Sequence, residues 1–344
     1  MQFDNLFDKV ARYFTEHRFG LVGGILTTLL GVYILVITVL LFYWSQEPPV
    51  FDVQQVAAQD AHRDSVADVT GYTYSTALIH IGDTLLYKRG GYLSNDITPP
   101  GIFMDDIPNW EFGALVMLRD ATSALRNYFS RSQSQSIENK DLAIADPKFN
   151  YDNSSWFFTQ REYRKAIAAL NRYRDGLAKT QATTTQFYAR ADNLAQYLKV
   201  VSQRLGSLSQ RLSASVGQLR VNTDLAGDSA AKQSTATANT VMVKTPWLKI
   251  DDIFYEARGS TWALYHILAA INVDFDAVLR KKNAKPSVAQ IISELREAQR
   301  PTFSPMVLNG EGFGLTANYS LTMANYISRV NAAIIDLRAL LQTG

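Results

Sequence analysis

The chain reads as all-α, with a single N-terminal transmembrane helix followed by a helical bundle that contains a long heptad-patterned helix or helical hairpin. Three observations predict this. Residues 19–46 carry no charge, apolar residues recur at 3–4-residue spacing through most of residues 72–344, and period-2 alternation is almost absent.

The anchor comes first. Its apolar body, 21–44, is 24 residues long, about 36 Å as a helix, against a hydrocarbon core of about 30 Å. A cleaved signal has a shorter apolar run and a small-residue exit site. Here the run ends in Phe42-Tyr43-Trp44, with Val56-Ala57-Ala58 too far downstream to serve. We therefore expect a retained span. Lys9, Arg12 and Arg18 precede it, whereas Glu47, Asp52 and Asp60 come before the first basic residue on the other side, Arg63. That bias puts the N-terminus in the cytoplasm and residues 47–344 outside it. Residues 3–18 space Phe3, Leu6, Phe7, Val10, Tyr13 and Phe14 helically. They form either an amphipathic tip, 1–18, on the cytoplasmic leaflet or an extension of the anchor helix.

Beyond the anchor, Pro48-Pro49 opens a connector that turns helical near 53–66. A helix comes next at 72–88, stopped by Gly90-Gly91, then a turn-rich loop at 92–109 with Pro99-Pro100-Gly101 and Pro108-Asn109. A second helix is predicted at 110–131, and 132–153 is polar and loop-like. From Tyr163 to Leu219 a strict 3,4 spacing of seam positions persists for 57 residues, about 86 Å if one continuous rod. Gly176 and the polar run 179–185 mark a point where the rod can break into a hairpin. Either an intramolecular bundle or a coiled-coil dimer covers such a seam. Residues 222–245 are rich in Ala, Ser and Thr without period and read as a linker or loop. Helices at 250–282, at 287–300 with Ser287 as N-cap, and at 315–342 complete the body. The expected organisation is thus 1–18, 19–46, 47–221, 222–245 and 246–344.

Composition excludes several functions. With no cysteine, the body has no disulfide, thiolate metal site or cysteine nucleophile. The four histidines, at 17, 62, 80 and 266, lack the spacing of a metal motif, and His266, beside Trp262 and Tyr265, fits a satisfied core residue. No cofactor is expected. Net charge is +2, but acidic residues dominate 47–154 and basic residues dominate 155–220. Those two stretches either face each other within one fold or present a basic surface to anionic lipid or another envelope polymer. Nucleic acid is excluded as a partner by the compartment. Gly310-Glu311-Gly312-Phe313-Gly314 precedes a helix, yet no strand leads into it and no Lys-Ser/Thr comes after it, so it fits a tight approach loop rather than a nucleotide site.

The strongest chemical candidate is the loop bearing Asp96, Asp105, Asp106 and Glu111. Its carboxylates can be read as Ca²⁺ ligands or as an acid–base pair on a glycan, with Tyr92 and Trp110 stacking a sugar ring. Against this, the calcium-loop spacing is missing and Asp-rich turns commonly cap helices.

The strings Gly90-Gly91-Tyr92-Leu93-Ser94-Asn95-Asp96, Ile107-Pro108-Asn109-Trp110-Glu111, Ala317-Asn318-Tyr319-Ser320-Leu321 and Tyr326-Ile327-Ser328-Arg329 resemble those of a Gram-negative inner-membrane family, domain of unknown function 2333. The similarity extends over nearly the whole chain. The resemblance implies a bacterial envelope location, which with the orientation read from the charge bias makes the body periplasmic; it brings no established activity and no catalytic residues. Two functional expectations remain. One is a membrane-anchored interaction or scaffold protein, its partners the bilayer and an envelope protein or a second copy of itself. The other is a periplasmic glycan-binding protein or hydrolase using the 92–111 loop.

Overall fold

A computed structural model describes residues 4–61, 69–132, 138–179, 185–222, 239–302, 307 and 317–343, with side chains from 23 onward. The described part is helical apart from one short hairpin. Helix α1 runs unbroken from Asp4 to Trp44. Its Gly23–Trp44 stretch has mean hydropathy 2.7 and no residue buried against the rest of the chain. Residues 4–18 are thus continuous with the apolar stretch in one helix.

The body contains α2 (Val53–Ala61), α3 (Tyr72–Tyr87), α4 (Asp106–Ala124, extended by a π turn Leu125–Phe129), α5 (Leu142–Phe149), α6 (Thr159–Ala178), α7 (Ala191–Ser213), α8 (Ile250–Asp274), α9 (Asp276–Lys281), α10 (Lys285–Glu297) and α11 (Tyr319–Gln342). Strands β1 (Gln218–Val221) and β2 (Thr240–Val243) pair antiparallel, Leu219 opposite Met242.

The central contact is α4 against α8. Gly113 and Gly259 allow it. A Cβ on Gly113 would lie 1.9 Å from the Glu256 carbonyl oxygen, and one on Gly259 would lie 1.9 Å from that of Trp110. With the backbones this close, Trp110 packs on Trp262 at 5.0 Å between ring centroids, and both are fully buried. Helices α3, α7 and α10 pack around this pair, with α11 on α7 and α10, α6 outside α3, and α5 against α6 and α4. One large apolar core results, with a small second cluster of Ala57, Ala61 and Tyr72 where α2 meets α3.

The heptad seam is not one rod. It splits into α6 and α7 with non-helical backbone at 179 and 185–190 between them. Helix α6 packs on α3 and α5, and α7 packs on α11 and α4. Both halves of the seam are thus covered within the chain by other helices, and the apolar spacing served two separate faces of one bundle. The last seam position, Leu219, lies on β1 and is exposed. Three other expectations change. Residues 142–149 form a helix where a loop was predicted. Helix α10 begins at Lys285, with Pro286 in its first turn instead of before it, where the missing N–H costs nothing. The expected linker 222–245 contributes a strand at 240–243; its residues 223–238, like the glycine run 310–314, His62 and residues 180–184, lie outside the described residues.

The charge asymmetry resolves inside the fold. Arg172 reaches Asp141 at 2.7 Å, Arg174 reaches Asp60 at 2.5 Å and Arg204 reaches Asp120 at 2.7 Å. In each pair a cation from the basic stretch meets an anion from the acidic one.

Candidate functional site at the anchor junction

The residues singled out in the 92–111 loop do not converge on one point. Glu111 lies on the buried stripe of α4 between Ile107 and Leu115 and has no exposed surface. Its carboxylate ion-pairs with Lys88, itself almost enclosed. It also accepts from the backbone N–H of Leu93 at 2.8 Å and of Ser94 at 2.7 Å, and from the Ser94 hydroxyl at 2.5 Å. This set of bonds wraps the loop onto α4. Trp110 and Tyr92 are likewise buried, with no open ring face for a sugar.

Asp96 closes its own turn by accepting from Thr98 N and Oγ1 at 2.9 and 2.7 Å. Asp105 caps α4, accepting from Asp106 N at 3.0 Å. Asp106 sits beside Asp251 and Asp252, because α4 and α8 start side by side. Burial pushes its carboxyl up to about 7, and the neighbouring carboxylates of Asp105, Asp251, Asp252 and Glu47 add to the shift. Asn109 Nδ2 donates to Asp252 at 3.0 Å and Lys249 reaches it at 2.8 Å. Among the described residues no group of three or more His, Asp or Glu is arranged to hold a metal.

The polar groups that do assemble surround the segment that follows the apolar helix α1. Glu47 meets Arg258 through Nε at 2.9 and 3.1 Å and through Nη2 as well. Arg258, buried on α8, also donates to the carbonyls of Ala298 and Arg300 at 2.8 Å each. Trp262 Nε1 donates to the Pro49 carbonyl at 3.2 Å. Phe51 N donates to His266 Nε2 at 3.0 Å, and the two rings stack at 3.8 Å. His266 Nδ1 lies 2.7 Å from the Trp262 carbonyl, so both ring nitrogens are satisfied. Burial lowers its pKa to about 3, leaving a neutral imidazole. Positions 258, 262 and 266 are successive turns of one face of α8, and positions 47, 49 and 51 are alternate residues of an extended strand-like segment. The two periodicities match, and the strap lies along the helix.

Two clefts flank this strap. One, about 770 Å³, lies between it and α3 and is lined by Phe51, His80, Asp83, Tyr87 and Arg89 among others. The second, about 500 Å³, is bounded by Tyr255, Arg258, Gln299 and Pro301. In the first, His80 lies 3.6 Å from Asp60, and burial raises the Asp83 carboxyl. In the sequence Asp83 stands three positions after His80 on the same helix, but Asp60, twenty positions earlier on α2, is revealed by no local spacing.

Residues 18–344 match the family described as an uncharacterised protein conserved in bacteria, domain of unknown function 2333. The chain belongs to that family. No curated protein and no solved structure matches it. Family membership therefore adds the bacterial source and near-full-length coverage, and the function rests on the geometry above.

Proposed function

We propose that this family member is a bitopic inner-membrane protein with a cytoplasmic N-terminus, whose helical body outside the cytoplasm serves as an interaction module or scaffold of the cell envelope. One observation carries the reading. The apolar helix passes into the body without a flexible linker, because Glu47, Pro49 and Phe51 are held by successive turns of α8. Rigid coupling fixes the body's height and tilt relative to the bilayer, as a scaffold requires and a freely diffusing binder does not. The basic residues before the span and the acidic ones after it support the orientation. The partner is an envelope protein or a second copy of this chain.

Two measurements test the proposal. Protease added to spheroplasts should digest the body and leave residues 1–44 protected; the reverse pattern rejects the orientation. Crosslinking in intact cells should capture one defined partner or a homo-oligomer. A chain that stays monomeric and uncrosslinked rejects the scaffold. Replacing residues 1–46 by a cleavable signal should abolish that capture.

A further inference from the structure

Large apolar side chains that lie open on the body are concentrated at one end of it. On the 97–103 turn, Ile97, Ile102 and Phe103 are exposed, Phe103 by 66%. Just before α6, Trp156, Phe157 and Phe158 form a second group, Phe157 exposed by 73%. Trp247 and Leu248, in the turn leading into α8, are 70% and 74% exposed. Leu219, Val221 and Met242 share one face of the hairpin, since Leu219 pairs with Met242 and Val221 is two residues on. At the opposite end, among the described residues, the exposed apolar side chains are single ones such as Tyr128 and Ile335.

These four groups come from distant parts of the sequence, yet the topology gathers them. Asn95 Nδ2 donates to the Ser155 carbonyl at 3.0 Å, joining the first two groups. Asn109 bonds Asp252, which puts the start of α4 beside the start of α8. Thr245 N donates to the Ala214 carbonyl at 2.9 Å, and Arg211 pairs with Glu256 at 2.5 Å, bringing the hairpin to the same end. The anchor emerges there too. The Trp44 ring lies against Gly90, where an added Cβ would come within 2.7 Å of it, and Arg89 stacks over Tyr43 at 5.0 Å.

Chain length sets how far this end can stand from the bilayer. Trp44 closes the apolar helix and Glu47 already grips Arg258. Three residues span at most about 10 Å, while each headgroup layer is roughly 5–7 Å thick. The end of the bundle is held at headgroup level, where exposed Trp and Phe partition favourably. We propose that these loops form a collar that dips into the outer leaflet around α1, so that the body is a monotopic membrane protein as well as an anchored one. The occupant of this apolar surface is lipid. Charges of both signs, Asp105, Asp251, Arg161 and Lys249, share the end, so insertion depends on apolar area and not on anionic lipid.

This inference rests on α1 being a membrane span, and the experiment separates the two. The chain has no cysteine, so single substitutions Val36→Cys, Phe103→Cys, Phe157→Cys, Leu248→Cys, Tyr128→Cys and Ile335→Cys each carry one environment-sensitive fluorophore. The full-length protein is placed in phosphatidylcholine nanodiscs with and without chain-labelled quencher lipid. The collar predicts at least twofold quenching at 36, 103, 157 and 248, with none at 128 and 335, unchanged when anionic lipid is added. Quenching at 36 alone overturns the collar and leaves the anchor standing, its apolar end then free for a protein partner. No quenching at 36 rejects the span and the collar together. Equal quenching at 128 and 335 also overturns the collar.

Discussion

Glu47 and Arg258 are 211 positions apart in sequence and form a two-pronged ion pair three residues beyond the end of the anchor helix. Arg258 is 5% exposed and its remaining donors go to the carbonyls of Ala298 and Arg300. One guanidinium thus ties the anchor exit to both α8 and the end of α10. Planar geometry matters here, because an ammonium cannot serve these acceptors at once.

Arg258→Ala should lower the stability of the detergent-solubilised protein by about 3–5 kcal/mol, since it leaves a carboxylate and two carbonyls without partners. Arg258→Lys should recover less than half of that. Urea unfolding followed by tryptophan fluorescence measures both, and spin-label distances between α1 and α11 should broaden in the Ala variant. An unchanged distance distribution would show that the strap does not set the anchor's orientation.

Gly259→Ala should cost about 3 kcal/mol or more, because its methyl group would meet the Trp110 carbonyl and the α4–α8 pair must separate. Gly206→Ala, whose nearest neighbour is 3.8 Å away, should be neutral or slightly stabilising through helix propensity. Thermal melts of the two variants side by side distinguish packing from any general intolerance of glycine replacement.

Glu111→Gln tests the role of the 92–111 loop. A structural carboxylate predicts a loss of about 3 kcal/mol and protease cleavage near residues 90–96, with Lys88→Met partly restoring stability in the double variant. Normal stability combined with loss of cellular function would instead favour carboxylate chemistry at this position. Asp105→Asn and Asp106→Asn should fold normally, and Asp106→Asn should be stabilising above pH 7, where burial makes the ionised carboxyl unfavourable.

Two buried groups give stability opposite slopes with pH. Burial holds His266 at about 3, below its ordinary value of 6.5. Its contribution is complete above pH 6.5 and is lost as pH falls toward 3, because the unfolded chain then takes the proton. Burial raises Asp274 to about 7, opposed by its bond from Tyr74 N at 2.6 Å. Its native state keeps a proton the unfolded chain has released, so its contribution is greatest below pH 3.8 and declines up to about 7. Asp274→Asn should therefore gain stability relative to the parent as pH rises from 4 to 8. Melting temperatures across that range check the sign, and a constant difference would contradict it.

Much of the helical layout was legible in the sequence, but not its pairing. The sequence predicts a helix from 110, whereas α4 starts at Asp106, inside the expected 92–109 loop; the buried stripe Ile107, Trp110, Ala114, Leu118, on which Glu111 falls, is the signal that its carboxylate is buried. Its partner Lys88 lies 23 positions earlier, beyond the reach of helical spacing. The seam from Tyr163 to Leu219 shows the opposite difficulty. Its spacing is the same whether one partner or several cover it, so spacing alone does not decide the break between α6 and α7. Residues 142–149 were missed because an eight-residue helix with an internal proline has little periodicity; it is held by contacts such as Arg126 with Asp146 at 3.0 Å.

By itself the sequence determined the class: one apolar helix, a helical body, no thiol chemistry and membership of one bacterial family. The first three depend on composition and on periodicity within single elements, which neighbouring residues alone can encode, and the family on strings such as Ile107-Pro108-Asn109-Trp110-Glu111. The tertiary structure decided where the groups go. It turned Glu111 inward to Lys88, brought Asp106 beside Asp251 and Asp252, laid residues 47–51 along α8, and collected Phe103, Phe157, Leu219 and Trp247 at the end where α1 joins the body. Each of these depends on which helix faces which, and that is set by close packing at points such as Gly113 and Gly259, where shape complementarity between distant segments outweighs any local preference.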